Sequence, residues 1–267
     1  MTTVQNVPLF TWKSVTSFFS NSHDDYERIP LLAIGCVSLL ANKFEKAAGF
    51  DWSHVVDLGK IGSRLSNLTD YWEVVDVLKG AKNALTPAWQ IYSNQKTDAE
   101  GKPLELDKLV KKVVLFTCKT FSNAVNFLQM FDNSSAIKGL NIHKWKLIGT
   151  AAGALYFIDN LNTKLQDKKE PEGISKLREE AKETYRTQHE WKTLCSTSIS
   201  ASILSIKIIG FISSYYILNG GTGAVKAIAE NKGNLLLASF ASFTASVVGS
   251  HFFGEQMTEF KKLNQAT

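Results

Sequence analysis

The chain has 267 residues, 44% of them hydrophobic and 21% charged, with a net charge of +5. That composition is ordinary for a globular protein, and a mean hydropathy of -0.08 excludes a chain that is mostly membrane. The lysines are spread among acids with no dominant basic stripe, so nucleic acid is not an expected partner, whereas a pI near 8.9 suits an anionic lipid surface.

Residues 1–28 are polar with scattered aromatics and lack the basic start, apolar stretch and small-residue cleavage site of a secretory signal. Pro30 opens an apolar run to Ala41, and the 14 uncharged residues between Arg28 and Lys43 suit a buried or interfacial helix rather than a spanning one. Leu58, Ile61, Leu65, Leu68, Trp72 and Val75 fall at alternating steps of three and four. That is one face of a helix, expected to bury Leu65, Leu68 and Trp72 against neighbouring helices. Thr86-Pro87 marks a boundary. The polar stretch 93–103 reads as an exposed loop dividing an N-terminal helical region, 1–92, from a second, 104–267.

After that loop the periodicity predicts a helix from about Leu104 to Phe131. Its apolar face is flanked by Lys108, Lys111, Lys112 and Lys119, which suits either a membrane surface or a bundle. Asp132–Ser135 is a turn signal. Between Lys146 and Asp159 lie 12 uncharged residues, too few to span alone. Within them Gly149 and Gly153 form a GxxxG pair suited to close helix packing. From Lys164 to Lys192 there are eight basic and seven acidic residues. Pro171 should start a helix there, solvated apart from a thin stripe of Ile174, Leu177, Ala181, Tyr185 and Gln188.

Residues 193–218 are apolar and serine-rich, with Lys207 near the middle, and Asn219–Gly223 forces a turn. Gly233 to Gly254 then gives 22 residues without formal charge, about the length a bilayer core requires. Ala238, Ala241, Ser242, Ala245, Ser246 and Gly249 make a ridge of small side chains along this run, which lets another helix approach closely. The two apolar segments therefore predict a hydrophobic helical hairpin over 193–253, with 234–253 a single helix and 193–218 antiparallel to it. The tail from Glu255 is polar.

The fold class is all-α: a multi-helix bundle with a C-terminal hydrophobic helical hairpin. Cys36, Cys118 and Cys195 are far apart, each in or beside an apolar run, and read as buried thiols. There is no phosphate loop, no G-x-S-x-G, no H-E-x-x-H and no Cys/His metal spacing, so neither catalysis nor a cofactor nor a metal is expected. Two ionisable residues stand inside the apolar segments. Lys207 could pair with an acid or ligand in a cavity, snorkel along its helix, or lie on the wet face of a soluble helix. His251 lies at the end of the uncharged run and suits an interfacial position.

The paired segments 193–218 and 234–253 resemble the bilobed hydrophobic hairpin of chlamydial inclusion-membrane proteins. The whole layout, with Leu58-Gly-Lys60 opening an amphipathic region ahead of apolar helices, resembles the peroxin-eleven membrane-elongation family. Both resemblances imply a membrane protein without catalytic residues, and neither supplies site residues. The expected partners are a lipid bilayer, other proteins through helix packing, and a second copy of the chain. Two alternatives stand beside membrane organisation: a small transporter or channel component with Lys207 in a polar path, and a soluble helical interaction module. If the hairpin spans, Arg178, Lys182, Arg186, Lys192, Lys261 and Lys262 against Lys226 and Lys232 place both flanks on the cytoplasmic side.

Overall fold

The computed structural model describes residues 4–20, 78, 81–93, 97, 101, 103–129, 141–166 and 170–265. The helix expected over 58–75, with Leu65, Leu68 and Trp72, lies outside the described residues, as do the apolar run 30–41 and Cys36. The described residues form an all-α protein. Helix α1 spans Trp12–Ser20, α2 Leu106–Gln129, α3 Ile142–Gln166, α4 Glu179–Asn219, α5 Gly223–Glu230 and α6 Lys232–Leu263, and residues 81–92 are also helical. Among the described residues there are only isolated β-bridges, at Thr97–Pro103 and Leu177–Gln265.

Local chemistry explains several ends. Asn141 precedes α3, and its side-chain oxygen accepts a hydrogen bond from the Lys144 amide at 3.2 Å, satisfying one of the orphan donors of the first turn. Glu179 and Glu180 open α4 and Lys261 and Lys262 close α6, each matching the helix dipole. The turn after α4 uses two glycines at positive φ, Gly220 at 70° and Gly223 at 57°, a conformation other residues rarely adopt.

Helices α2, α3, α4 and α6 follow one another as antiparallel neighbours. Val125 and Ser122 of α2 meet Gly149 and Gly153 of α3, Thr150 of α3 meets Gly210 of α4, and Ser202 of α4 hydrogen-bonds Ser242 of α6 at 3.0 Å. The apolar hairpin is therefore an antiparallel pair, α4 against α6, joined by the glycine turn and the short α5.

Four sequence expectations are corrected in detail. The charged segment and the apolar one are not two helices: α4 runs unbroken for 41 residues, about 60 Å. Pro171 does not start it. A 3-10 turn at Ile174–Lys176 follows Gly173, and Leu177 stays extended because it bridges to Gln265 while the Arg178 amide bonds the Asn264 carbonyl at 3.2 Å. The stripe expected on a solvated helix is a core: Ile174, Leu177, Ala181 and Tyr185 are buried with Met257 and Phe260, and Val4 and Val7 pack against them. Gln188 is buried as well. The polar tail is thus the last turns of α6, which supply Met257 and Phe260 to that cluster. Finally, the thiols of Cys118 and Cys195 are half-buried, not buried.

Candidate functional site

Two glycines of α3 let α2 and a charged side chain of α4 lie close against it. On α3, Gly149 has no Cβ where one would meet Val125, and Gly153 has none where one would lie 2.5 Å from Ser122 Oγ and 3.2 Å from the Lys207 stem. Lys207 of α4 passes over that bare backbone and donates a hydrogen bond to Ser122 Oγ of α2 at 3.0 Å. Ser122 is 1% exposed, so three helices are tied at one level by a cation and a buried hydroxyl. Of the roles open to Lys207 in the sequence, the geometry gives it a place inside the helix assembly.

A second lysine follows along the same seam. Lys164 of α3 donates to the Ser196 carbonyl at 2.9 Å, Ser196 Oγ at 3.0 Å and the buried Ser200 Oγ at 2.9 Å, all on α4. Nearby, Lys111 of α2 pairs with Asp159 of α3 at 2.6 Å, and the Lys119 ammonium lies 5.3 Å from the centroid of the Tyr156 ring. Sequence reasoning assigned no role to Ser122, Asp159 or Lys164. The signal available was the GxxxG pair, which marked the crossing but not what crosses it.

The expected small-residue ridge of α6 divides between two faces. Ser242 bonds Ser202, Ser246 is buried, and Gly249 brings its backbone against Cys195, where a Cβ would come within 2.7 Å of the sulfur. Ala238, Ala241 and Ala245 are exposed. Farther along, Trp191 of α4 stacks on Phe253 of α6 with ring centroids 6.1 Å apart. Trp191, Leu194, Cys195, Ser198, Ala245, Ser246 and Phe253 line a shallow apolar groove there.

His251 is not at an open boundary but buried under the N-terminal segment. Its Nε2 lies 3.1 Å from the Ser14 carbonyl oxygen of α1, which accepts from the ring in the tautomer that carries its hydrogen on Nε2. Ser17 Oγ is 3.3 Å from the same nitrogen, and the Phe18 ring meets the imidazole edge-on. The segment is fastened at further points. Asn264 accepts from the Gln5 amide and donates to the Gln5 carbonyl, at 3.0 and 2.9 Å, and Gln256 donates to the Val7 carbonyl at 2.7 Å. Lys13 pairs with Glu259 at 2.5 Å. Their hydrogen bond, with their mutual attraction, holds the Glu259 carboxyl below its ordinary pKa and the Lys13 ammonium above its own.

No family model, curated protein or solved structure matches the chain.

Proposed function

We propose that the chain is a non-catalytic helical membrane protein that seats the α4–α6 hairpin in a bilayer and organises that membrane or recruits partners to it. One observation carries this reading. Both helices are long and apolar enough to cross a bilayer, yet only 22% of the most apolar 18-residue stretch of α4 and 17% of that of α6 is buried inside the chain. A core helix of a soluble bundle buries most of such a stretch; these leave it to the surroundings. The resemblance of the paired apolar segments to the inclusion-membrane hairpin points the same way and rests on the same apolar pattern.

If the hairpin spans, both chain ends share one side, because Gln5 and Asn264 are bonded to each other. The antiparallel register also brings Lys144 and Lys146 of α3 to the level of the turn, since Thr150 stands opposite Gly210. With Lys13 and Lys176, which the fold likewise brings to the flank end, the basic count becomes eight at the flanks against four at the turn, still favouring cytoplasmic flanks. Alkaline carbonate extraction of membranes from cells making the chain, tagged at both ends, tests the reading. Retention in the pellet is expected; release into the supernatant refutes it in favour of a soluble module.

The seam supports a second reading, a polar path. Lys207 and the Lys111–Asp159 pair lie alongside the middle of the apolar half of α4, and Lys164 toward its flank end, where lipid would penalise a charge by up to about 3 kcal/mol. Such groups belong where they face protein or water. Solute flux through reconstituted vesicles that is lost in Lys207→Gln supports the path; absence of flux in the wild type excludes it.

A further inference from the structure

Helix α3 is inside out for a protein in water. Its buried residues are Ile142, Gly149, Thr150 and Gly153. The α4 residues buried from Ser200 to Ser214 have the same character: Ser200, Ser202, Ile209, Gly210, Ser213 and Ser214. The bulky apolar residues of α3 take the other side, with Ile148, Leu155, Ile158 and Leu165 53%, 58%, 51% and 63% exposed. Their spacing of seven, three and seven keeps them on one helix face. In water such a helix would turn that stripe inward and its glycine–threonine side outward. Between helices in a bilayer the preference is reversed. Small and hydroxyl side chains hold the contacts, because lipid solvates bulky apolar ones as well as protein does.

The stripe also lies at the depth of the hairpin. Thr150 stands against Gly210, and Lys164 bonds Ser196 and Ser200, so the face from Ile148 to Leu165 runs beside the apolar half of α4. Its length is about 26 Å, most of a hydrocarbon core of about 30 Å. Only 12 uncharged residues separate Lys146 from Asp159, too few for a lone helix to span. Neighbouring helices lift that limit. Asp159 pairs with Lys111 of α2 at 2.6 Å, and the Lys164 ammonium has three α4 oxygens within 3.0 Å, one for each of its donors. The exposed polar residues near the flank end of the stripe bond within α3 itself. Asn162 accepts from Gln166 at 3.1 Å, and Thr163 donates to the Asp159 carbonyl at 2.8 Å.

We propose that α3 is a third membrane-embedded helix, with Ile148, Leu155, Ile158 and Leu165 seated against lipid acyl chains. The proposal rests on the membrane reading above and extends it beyond the hairpin. Lipid is the occupant because α3 spends its small residues on the contacts with α2 and α4 and leaves outward the branched side chains that acyl chains solvate.

The test places a nitroxide on Leu155→Cys or Ile158→Cys of the full chain, with the native thiols replaced, in phosphatidylcholine vesicles. Ile208→Cys, on the exposed side of the apolar half of α4, is the hairpin reference, and Thr187→Cys, exposed beyond its flank end, is the water reference. Electron paramagnetic resonance measures collisions with oxygen and with a water-soluble nickel chelate. The oxygen-to-nickel ratio at 155 and 158 should match that at 208 and exceed that at 187 by at least about fivefold, since a hydrated chelate is excluded from hydrocarbon. Nickel access at 155 and 158 with oxygen access at 208 overturns the proposal and leaves the hairpin in the membrane. Shielding of 155 and 158 from both reagents also overturns it, in favour of a protein contact such as a second copy of the chain. Nickel access at 208 as well overturns both readings. A hydrophobic diazirine photolysed in vesicles of the wild type needs no variant. Adducts mapped by mass spectrometry to α3 and α4 together support the proposal, and adducts on α4 with α3 unlabelled overturn it.

Discussion

Replacing Gly153 by alanine tests the point where α2, α3 and α4 meet. The new methyl carbon would sit 2.5 Å from Ser122 Oγ, 0.9 Å inside the 3.4 Å at which ordinary contact begins, and 3.2 Å from two carbons of Lys207. Ser122 is buried, so its hydroxyl has little room to turn away, and relief requires α2 to shift. Overpacking of this kind costs about 1–3 kcal/mol. Breaking the bond from Lys207 adds about 1.5 kcal/mol, the low end for a charged donor, because Lys207 is only partly buried. Alanine returns about 1 kcal/mol through its helix propensity. The sum is a net loss of about 1.5–3.5 kcal/mol. Ser122→Ala alone should cost about 1.5 kcal/mol. In the double variant the clash is gone, so it should lie within about 1 kcal/mol of the wild type. Urea unfolding of all four proteins in one lipid or detergent, followed by circular dichroism, measures the cycle. Additive effects, or a Gly153→Ala protein as stable as the wild type, would refute the three-helix crossing.

Phe260 is fully buried and stacks on Tyr185, so Phe260→Ala should cost about 3–5 kcal/mol, read as a lower unfolding midpoint; an unchanged midpoint removes the flank-end core. Asn264→Ala removes the bonds to Gln5 together with one from Arg178 and should expose residues 4–20 to limited proteolysis, whereas protection equal to the wild type would mean the segment is held without it. Ser202→Cys with Ser242→Cys, in a background with the native thiols replaced, should form a disulfide under mild oxidation, and failure to cross-link would contradict the antiparallel pairing. The Glu259 pKa is depressed in the folded chain, so the Lys13–Glu259 pair contributes above the ordinary carboxylate pKa of about 4.3 and is lost as pH falls through the lower folded value. Hydrogen exchange in 4–20 should accelerate over that interval, and Lys13→Gln should remove the step; an identical profile in the variant assigns it elsewhere.

The hairpin was legible because its signals are local: charge-free length, a glycine turn and small residues at helical spacing need no knowledge of distant partners. The flank-end core was not. Ile174, Leu177, Ala181 and Tyr185 sit among acids and bases that favour solvation, and only contact with Met257 and Phe260 makes them interior. A stripe that thin is apolar enough to bury but too sparse to announce burial. The same limit explains Pro171, whose helix-starting preference yields to the bridge between Leu177 and Gln265. Likewise, Lys207 was conspicuous as a charge in an apolar segment, but its acceptor is 85 residues away on a different helix.

The bond between Gln5 and Asn264 joins residues 259 positions apart, and the cluster it closes draws on the N-terminal segment, the start of α4 and the end of α6. During synthesis this assembly cannot form until the last turn of α6 has left the ribosome, whereas α4, its glycine turn and the uncharged run emerge earlier and in sequence. The greasy rods are therefore presented before the clasp that locks them. If the hairpin is seated in a bilayer as proposed, that order leaves it open to insertion until the N-terminal segment is fastened.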